Sequence, residues 1–313
     1  MATNGGKLDE AARAGWLYYV AGNTQDQIAQ KLGVSRQSAQ RLVSLAVSEG
    51  LVKVRIDHPI ANCLELSTRL QARYDLKFCE VAPTDPAAQA SLVGVAQSCA
   101  AEIEKWLGRA EPLVMAIGTG RTLKAAVEHL PRLDCPQHRI VSLTGNISPD
   151  GSAAYYNVIF SLADKVSARS FPMPLPVIAS SHAEREMLHS QAMIRPTLEL
   201  AGKSDIVFVG IGELGQDAPL CVDGFLTGAE MAQVVAAGGV GEIVGWIFDS
   251  SGRIIVGDIM ERVASARLPA RESALVVACA VGPRKAIAIR AAMEGGLANG
   301  LITDEATADL LLK

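Results

Sequence analysis

Apolar residues near the start of the chain recur at intervals of three and four positions, the spacing of amphipathic helices. This pattern predicts helices over 8–20, 24–32 and 36–49. Thr24 is followed three residues later by Gln27, which is a capping-box spacing, and Gly33 offers the positive φ that a tight turn needs. Two short helices joined by such a turn are typical of a helix-turn-helix.

A fourth amphipathic helix is predicted in the segment 59–76, which begins at Pro59. Its apolar stripe includes Leu64, Leu66 and Leu70. Such a stripe fits a linker helix that forms a dimer, and it fits equally a helix that packs on its own body domain.

From residue 77 onward, near-continuous apolar runs alternate with helical patterns. The predicted strands cover 78–82, 113–117, 139–143, 205–209, 242–248 and 274–281. The predicted helices cover 87–107, a stretch ending near 130, 153–168, 183–200 and 286–294, and a last element covers 303–312. Apolar strands separated by helices indicate a mostly parallel sheet that is covered on both faces. We therefore expect a Rossmann-like α/β domain over 77–313.

Three of the predicted strands end in glycine-containing loops, at 118–122, 144–146 and 210–215. Ligands of such sheets bind outside the carboxyl ends of the strands. The first loop lies directly between a strand and a helix, so its backbone N–H groups can bind an anion or an oxygen-rich sugar group. The side chains of Thr119, Arg121 and Thr122 add further hydrogen-bond donors. The pattern is neither a Walker A loop nor a dinucleotide-binding fingerprint, which disfavours a nucleotide.

The composition is that of an ordinary folded protein. The chain has 313 residues, of which 49% are hydrophobic and 20% charged, and this excludes an intrinsically disordered protein. The longest clean apolar run, 274–281, is too short to span a membrane. The six cysteines are scattered without a C-x-x-C pair, and the five histidines lack metal-ligand spacing. We expect a cytoplasmic protein with reduced thiols, no secretory signal, no membrane partner, no metal and no cofactor.

Charge is divided unevenly along the chain. The overall charge is −4, whereas residues 1–58 carry +2 and the remainder carries −6. A basic helix-turn-helix on a larger acidic body is typical of a DNA-reading module attached to another domain. On the third helix, Arg and Gln side chains suit base edges and Ser suits phosphate. The candidate DNA-binding residues are Thr24, Ser35, Arg36, Gln37, Gln40, Arg41 and Ser44, joined by Lys53 and Arg55 of a predicted β-wing over 51–56.

The two halves together resemble the SorC family of sugar-responsive bacterial transcription regulators, also described as DeoR-like. The resemblance rests on the head from 24 to 56, the first loop Gly-Thr-Gly-Arg-Thr-Leu at 118–123, and Val-Gly-Ile-Gly-Glu at 209–213. It also rests on Gly-Val-Gly-Glu at 239–242, on Phe-Asp at 248–249 and on the tail from Lys285 to Glu305. The head also resembles, less closely, those of erythritol- and polyol-operon regulators.

This resemblance implies the fold of sugar-phosphate isomerases, glucosamine-6-phosphate deaminase and CoA transferases, with a sugar, polyol or sugar phosphate bound as effector. It implies a homodimer or homotetramer on double-stranded operator DNA. It leaves open which effector binds, whether it is phosphorylated, and whether the protein activates or represses. The effector residues that it implies are Gly118, Thr119, Gly120, Arg121, Thr122, Gly145, Asn146, Gly212, Glu242 and Lys285.

The main alternative is a sugar-phosphate isomerase or deaminase with an accessory head. Deaminase relatives carry G-x-G-x-D-G-H, whose histidine takes part in acid–base chemistry, whereas this chain has Gly-Ile-Gly-Glu-Leu-Gly-Gln at 210–216. Gln216 cannot titrate near neutral pH. Glu213 and Asp217 are nearby carboxylates, so some chemistry stays open. We expect a pocket that binds its ligand without turning it over.

Overall fold

The computed structural model of the chain describes residues 4–52, 60–85, 91–154 and 156–313. It divides into two compact units, Met1–His58 and Pro59–Lys313, which we call the head and the body. None of the helices in the described part of the chain combines the length and the apolar character that a membrane span requires.

In its described residues, 4–52, the head has three helices around a small apolar core. They are α1 (Asn4–Tyr19), α2 (Gln25–Leu32) and α3 (Arg36–Ser48). Ile28 and Ala39 are fully buried in that core. Thr24 and Gln27 form the predicted capping box, in which each side chain accepts a hydrogen bond from the other residue's backbone N–H. Gly33 ends α2 with φ at 66°, as predicted for the tight turn.

The body is an α/β unit in which helices and strands alternate. Its helices are α4 (Ala61–Tyr74), α5 (Val93–Leu107), α6 (Arg121–His129), α7 (Val158–Ala163), α8 (His182–Ser190), α9 (Arg195–Gly202), α10 (Pro219–Val222), α11 (Gly228–Ala236), α12 (Asp258–Glu261), α13 (Ala286–Glu294) and α14 (Glu305–Leu311). Its strands are β1 (Phe78–Ala82), β2 (Val114–Ile117), β3 (Arg139–Ser142), β4 (Arg169–Phe171), β5 (Ile206–Val209), β6 (Gly239–Ile243), β7 (Trp246–Asp249), β8 (Leu275–Cys279) and β9 (Gly300–Asp304).

Within the described residues of the body, seven strands form one sheet in the order β1-β9-β8-β5-β2-β3-β4, and every neighbouring pair is parallel. The α/β fold with a parallel sheet is therefore confirmed. Its centre shows why the apolar runs are continuous. In β5, Ile206 and Phe208 belong to the core on one face of the sheet, while Val207 and Val209 belong to the core on the other. Both faces are covered, so every position of the strand is buried.

The chain reverses its direction across the sheet between β2 and β5. From β2 it moves outward to β3 and β4, and it then returns to β5 on the other side of β2. Such a reversal opens a crevice at the carboxyl ends of the two strands. The loops after Ile117 and Val209 lie at this crevice, and these are the first and third of the glycine-containing loops.

The stretch expected as a strand over 242–248 is instead an antiparallel hairpin of β6 and β7, separate from the large sheet. The prediction was wrong because Val244 and Gly245 both have positive φ and reverse the chain in the middle of the apolar run.

Three predicted helices have different bounds. The 153–168 helix is reduced to α7, because Val166 already pairs with Leu133 and the chain continues into β4. The 183–200 helix is two helices, and Pro196 lies in the first turn of the second, where proline is tolerated. Residues 87–90 of the 87–107 helix lie outside the described residues, and α5 begins at Val93. The closing segment begins as β9 before α14.

Helix α4 packs with one face on the rest of the body. The Tyr74 hydroxyl donates to the carbonyl of Leu311 at 2.6 Å, and the Asn62 amide donates to Glu305 at 2.5 Å. Leu66 and Leu70 are buried, whereas Leu64 is 59% exposed. Most of the predicted apolar stripe is therefore buried within the body, and its outer edge at Leu64 is exposed.

Candidate functional site

A cavity of 410 Å³ opens at the carboxyl ends of β2, β5 and β8. Its walls come from the loops that follow these strands, from the turn between β6 and β7, and from the segment around α10. The volume is in the range of small-molecule sites. Its position at the reversal of strand order is the one expected for an α/β sheet.

The loop after β2 brings a helix N-terminus to the cavity. Gly120 precedes α6 with φ at 121°, and the N–H groups of the first helical turn have no partner within a helix. Arg121 is exposed and Thr122 is buried, and both line the cavity. The Thr119 hydroxyl donates to the carbonyl of Tyr156, so it offers an acceptor rather than a donor to a ligand.

Gly212 and Glu242 meet as an antiparallel bridge between the loop after β5 and strand β6. The Gly212 N–H donates to the Glu242 carbonyl at 2.9 Å, and the Glu242 N–H donates to the Gly212 carbonyl at 3.1 Å. The Glu242 carboxylate accepts a hydrogen bond of 2.7 Å from the Gly245 N–H. These contacts fix the carboxylate in the cavity wall.

Glu242 and Lys285 both lie in surroundings that disfavour their charged forms. Burial raises the pKa of the Glu242 carboxyl, although the Gly245 N–H and the charge of Lys285 oppose the rise. Burial lowers the pKa of Lys285, and the Arg121 guanidinium lowers it further against the attraction of Glu242 and Glu213. Because each group has lost water, each gains from a polar ligand that restores hydrogen bonds.

Two further acidic residues line the cavity. Glu213 pairs with Arg284 at 2.5 Å, so this carboxylate already has a cationic partner. Asp223 follows α10, and its burial raises the pKa of its carboxyl. The cavity wall thus holds three cationic and three carboxylate side chains, and this combination suits a ligand that carries both acceptors and donors. The six residues are Arg121, Arg284, Lys285, Glu213, Asp223 and Glu242.

Seven of the ten predicted effector residues line this one cavity, namely Thr119, Gly120, Arg121, Thr122, Gly212, Glu242 and Lys285. The other three, Gly118, Gly145 and Asn146, are not among the lining residues. Gly118 is covered by Val244, whose Cγ1 lies 3.2 Å from where a Gly118 Cβ would be. It also donates to the Phe208 carbonyl as a continuation of the sheet.

The loop after β3 packs against the segment 173–176. A Cβ on Gly145 would lie 2.1 Å from the Leu175 carbonyl oxygen, so glycine is required there for close backbone packing. The Asn146 N–H donates to the Met173 carbonyl at 3.1 Å, and its side chain is 8% exposed. Only Thr144 of this region lines the cavity. Close backbone packing therefore explains the glycine in this loop, while the side-chain oxygen of Asn146 is buried without a hydrogen-bond partner among the described residues.

Several lining residues were not predicted as site residues. Glu213 and Arg284 lie beside predicted residues, so their position in the sequence was a usable signal. Asp223, Phe225 and Val244 offered none, because they come from segments whose path over the cavity depends on the tertiary fold. The described residues contain no group of His, Cys, Asp and Glu that could hold a metal ion.

The candidate DNA-binding residues of the head lie on one small unit. The seven that the structure describes are all exposed, namely Thr24, Ser35, Arg36, Gln37, Gln40, Arg41 and Ser44. The Ser35 hydroxyl caps α3 by accepting from the Ser38 N–H, and Arg36 pairs with Asp26 at 3.5 Å. Lys53 and Arg55 of the predicted wing lie outside the described residues.

Comparison with known proteins gives a consistent result over the whole chain. The family model "Putative sugar-binding domain" matches residues 58–313. The erythritol catabolism regulatory protein EryD of Brucella abortus (strain 2308) is 34% identical over 302 residues, which cover 96% of each chain. The transcriptional regulator LsrR of Enterobacter sp. (strain 638) is 33% identical over 317 residues, covering 96% of this chain and 92% of LsrR.

Among solved structures, the full-length sorbitol operon regulator SorC from Klebsiella pneumoniae matches 98% of this chain and 99% of its own. The TM-score is 0.71 at 23% sequence identity, so this match establishes the fold. The chain therefore belongs to the family of proteins that carry this sugar-binding domain, and it is similar over 96% of its residues to the transcriptional regulators EryD and LsrR and has the fold of SorC.

Proposed function

We propose that this chain is a cytoplasmic, sequence-specific DNA-binding transcriptional regulator, controlled by a small sugar, polyol or sugar phosphate in the body. The observation that carries the proposal is the cavity at the strand ends, where Arg121, Lys285 and Glu242 line one space. A full-length relative, EryD, is named a regulatory protein of erythritol catabolism, which supports an effector of this chemical class.

The head supplies the proposed DNA-reading surface. Helices α2 and α3 are joined by a short turn at Gly33, which is the arrangement of a helix-turn-helix, and α3 is the proposed recognition helix. Its buried face contains Ala39 and Leu42, so Arg36, Gln37, Gln40, Arg41 and Ser44 are available to bases and phosphates. Thr24 and Ser35 cap the two helices, and their exposed hydroxyls lie at helix N-termini, where phosphate oxygens bind.

The body supplies the proposed effector site. The N-terminus of α6 together with Arg121 and Lys285 suits a phosphate or a cluster of hydroxyl oxygens. Glu242 and Asp223 accept hydrogen bonds from hydroxyl groups. A short polyhydroxylated chain, with or without one phosphate, can bind both the cationic groups and the two carboxylates. In this role Gly118, Gly145 and Asn146 act through packing of the loops rather than through direct contact.

Oligomerisation is part of the proposal, because readers of two-fold operators place two recognition helices on successive turns of DNA. The outer edge of α4 in the linker segment 59–76, with Leu64 exposed, is the proposed contact in a homodimer or homotetramer. Effector binding then favours one arrangement of the heads through its differential affinity for the two states.

Catalysis is the alternative function, since the fold class is also that expected of sugar-phosphate isomerases and deaminases. Against it, the Gln216 side chain donates to the Gly228 carbonyl at 3.1 Å and is not among the cavity-lining residues. The Glu213 carboxylate is paired with Arg284. The position of the deaminase histidine thus supplies no general base to the cavity, which favours binding without turnover.

The test is fluorescence anisotropy of the purified full-length protein with the DNA directly upstream of its own transcription unit. Titrations at two salt concentrations separate specific from purely electrostatic binding. Each is repeated with erythritol and D-sorbitol, free and as their terminal phosphates. Specific binding that one compound changes supports the proposal. Absence of specific binding, or turnover of any of these phosphates at an enzyme-like rate, contradicts it.

A further inference from the structure

The turn between β6 and β7 carries a β-branched residue in the left-handed region. Val244 has φ at 48° and Gly245 has φ at 87°. Two positive φ values in a two-residue hairpin turn are met most readily by Asn-Gly or Asp-Gly. Valine resists this conformation because its branched Cβ crowds the backbone. The position therefore holds a residue that the turn itself does not favour.

The second residue of the turn is explained by local packing. A Cβ on Gly245 would lie 2.8 Å from Val177 Cγ1, in addition to the cost of its positive φ. Its N–H donates to the Glu242 carboxylate at 2.7 Å. The turn thus holds the carboxylate in the wall of the cavity, and glycine is needed to do so.

The first residue has no comparable backbone reason. Val244 is only 7% exposed, and its side chain lies between Gly118 and the cavity, which it lines. It lines the same cavity as Glu242, whose carboxylate accepts a hydrogen bond from the N–H of the next residue, Gly245. A hydroxyl acceptor next to an apolar patch is complementary to a carbon chain that carries hydroxyl groups.

We propose that Val244 is a specificity-determining residue of the effector site, whose isopropyl group contacts the carbon skeleton of a polyol or sugar while Glu242 accepts from its hydroxyls. This inference rests on the proposed effector site of the body. Backbone strain that persists at a ligand cavity fits such a role.

The test compares Val244→Gly and Val244→Asn with Val166→Gly in the full-length protein. Val166 is buried to a similar degree, at 6% exposure, and it is not among the cavity-lining residues. Calorimetry gives the Kd for erythritol, D-sorbitol and their terminal phosphates, and thermal unfolding without ligand gives the Tm. We expect both Val244 variants to weaken the bound compound about tenfold, because an apolar contact is lost. We expect Val166→Gly to leave its Kd within about twofold.

The Tm values separate a binding role from a packing role. Relief of the positive-φ penalty should make the Tm loss of Val244→Gly smaller than that of Val166→Gly by about 2–8 °C. An unchanged Kd in both Val244 variants, or an equal Tm loss in the two glycine variants, overturns the inference. If the wild-type chain binds none of the four compounds, the proposed effector class fails. The inference about Val244 then fails with it, whereas wild-type binding that both Val244 variants retain overturns the inference alone.

Discussion

The Glu242 carboxylate occupies the space that a side chain on Gly212 would fill. A Cβ at Gly212 would lie 2.0 Å from Glu242 Oε1 and 2.7 Å from its Cδ, while the two backbones exchange a pair of hydrogen bonds. The φ of Gly212 is not in the left-handed region, so the backbone conformation does not require glycine there. Glycine is required because the Glu242 carboxylate occupies the space of a side chain. The two residues form one element of the site.

Replacing Gly212 by alanine should weaken effector binding about tenfold or more. The new methyl group displaces the Glu242 carboxylate from the Gly245 N–H, and the loss of one charge-assisted hydrogen bond costs about 1.5–3 kcal/mol. Calorimetric titration of the full-length protein with its effector measures the change. The control is Gly202→Ala at the end of α9, where nothing lies within 4 Å of the added Cβ. Wild-type affinity in Gly212→Ala would refute the coupling.

Replacing Glu242 by glutamine should stabilise the body at neutral pH and not at acid pH. Burial raises the pKa of this carboxyl in the folded state above its ordinary value of 4.5. A carboxyl with a raised folded pKa favours folding below the unfolded pKa, and this contribution is lost as the pH rises through the folded pKa. Glutamine stays neutral and still accepts from the Gly245 N–H.

Thermal unfolding of both proteins from pH 4.5 upward checks this sign. The Tm of Glu242→Gln minus that of the wild type should increase with pH and become constant once the wild-type carboxyl has ionised. Other titrating groups are common to both proteins and cancel in the difference. A difference that is independent of pH, or that decreases as the pH rises, would show that the carboxylate is stabilised by its surroundings in the ligand-free protein.

Periodicity and capping chemistry predicted most of the elements, because these signals are local. Thr24 with Gln27 defined the start of α2, and the apolar run at 206–209 defined a central strand. The hairpin of β6 and β7 was read as one strand, since Val244 is a poor residue for a turn and only Gly245 marks it. The tertiary structure imposes that turn, so the local pattern could not reveal it.

The candidate site was predictable where a strand end and a chemical motif coincide. The loop after β2 and the Glu242 and Lys285 positions converge on one cavity. Asn146 also follows a strand end, yet the segment around Leu175 covers its loop. Asp223 reaches the cavity from a surface turn after α10. Which strand ends stay open depends on long-range packing, and a one-dimensional pattern carries no such information.

Replacing Lys285 by glutamine should abolish the response to effector and leave operator affinity within about twofold. Burial and Arg121 lower the pKa of this ammonium, so its charge costs stability in the ligand-free protein. The substitution should therefore leave the Tm unchanged or raise it, whereas removal of a purely structural lysine would lower it. Anisotropy with operator DNA, with and without effector, measures the response. Lys203→Gln, which alters an exposed lysine after α9, is the matched control.

Replacing Arg41 by alanine should weaken operator binding by about tenfold to 100-fold, corresponding to about 1–3 kcal/mol for a base contact from a recognition helix. Arg13→Ala on α1 makes the same change in charge at another exposed position of the head, so it controls for general electrostatics. If Arg41 contacts a base, the affinity for unrelated DNA should fall much less. If it contacts phosphate, both affinities should fall and the salt dependence should lose about one counterion. Equal effects of the two variants would mean that net charge, rather than α3, directs binding, and the recognition helix would have to be sought elsewhere in the head.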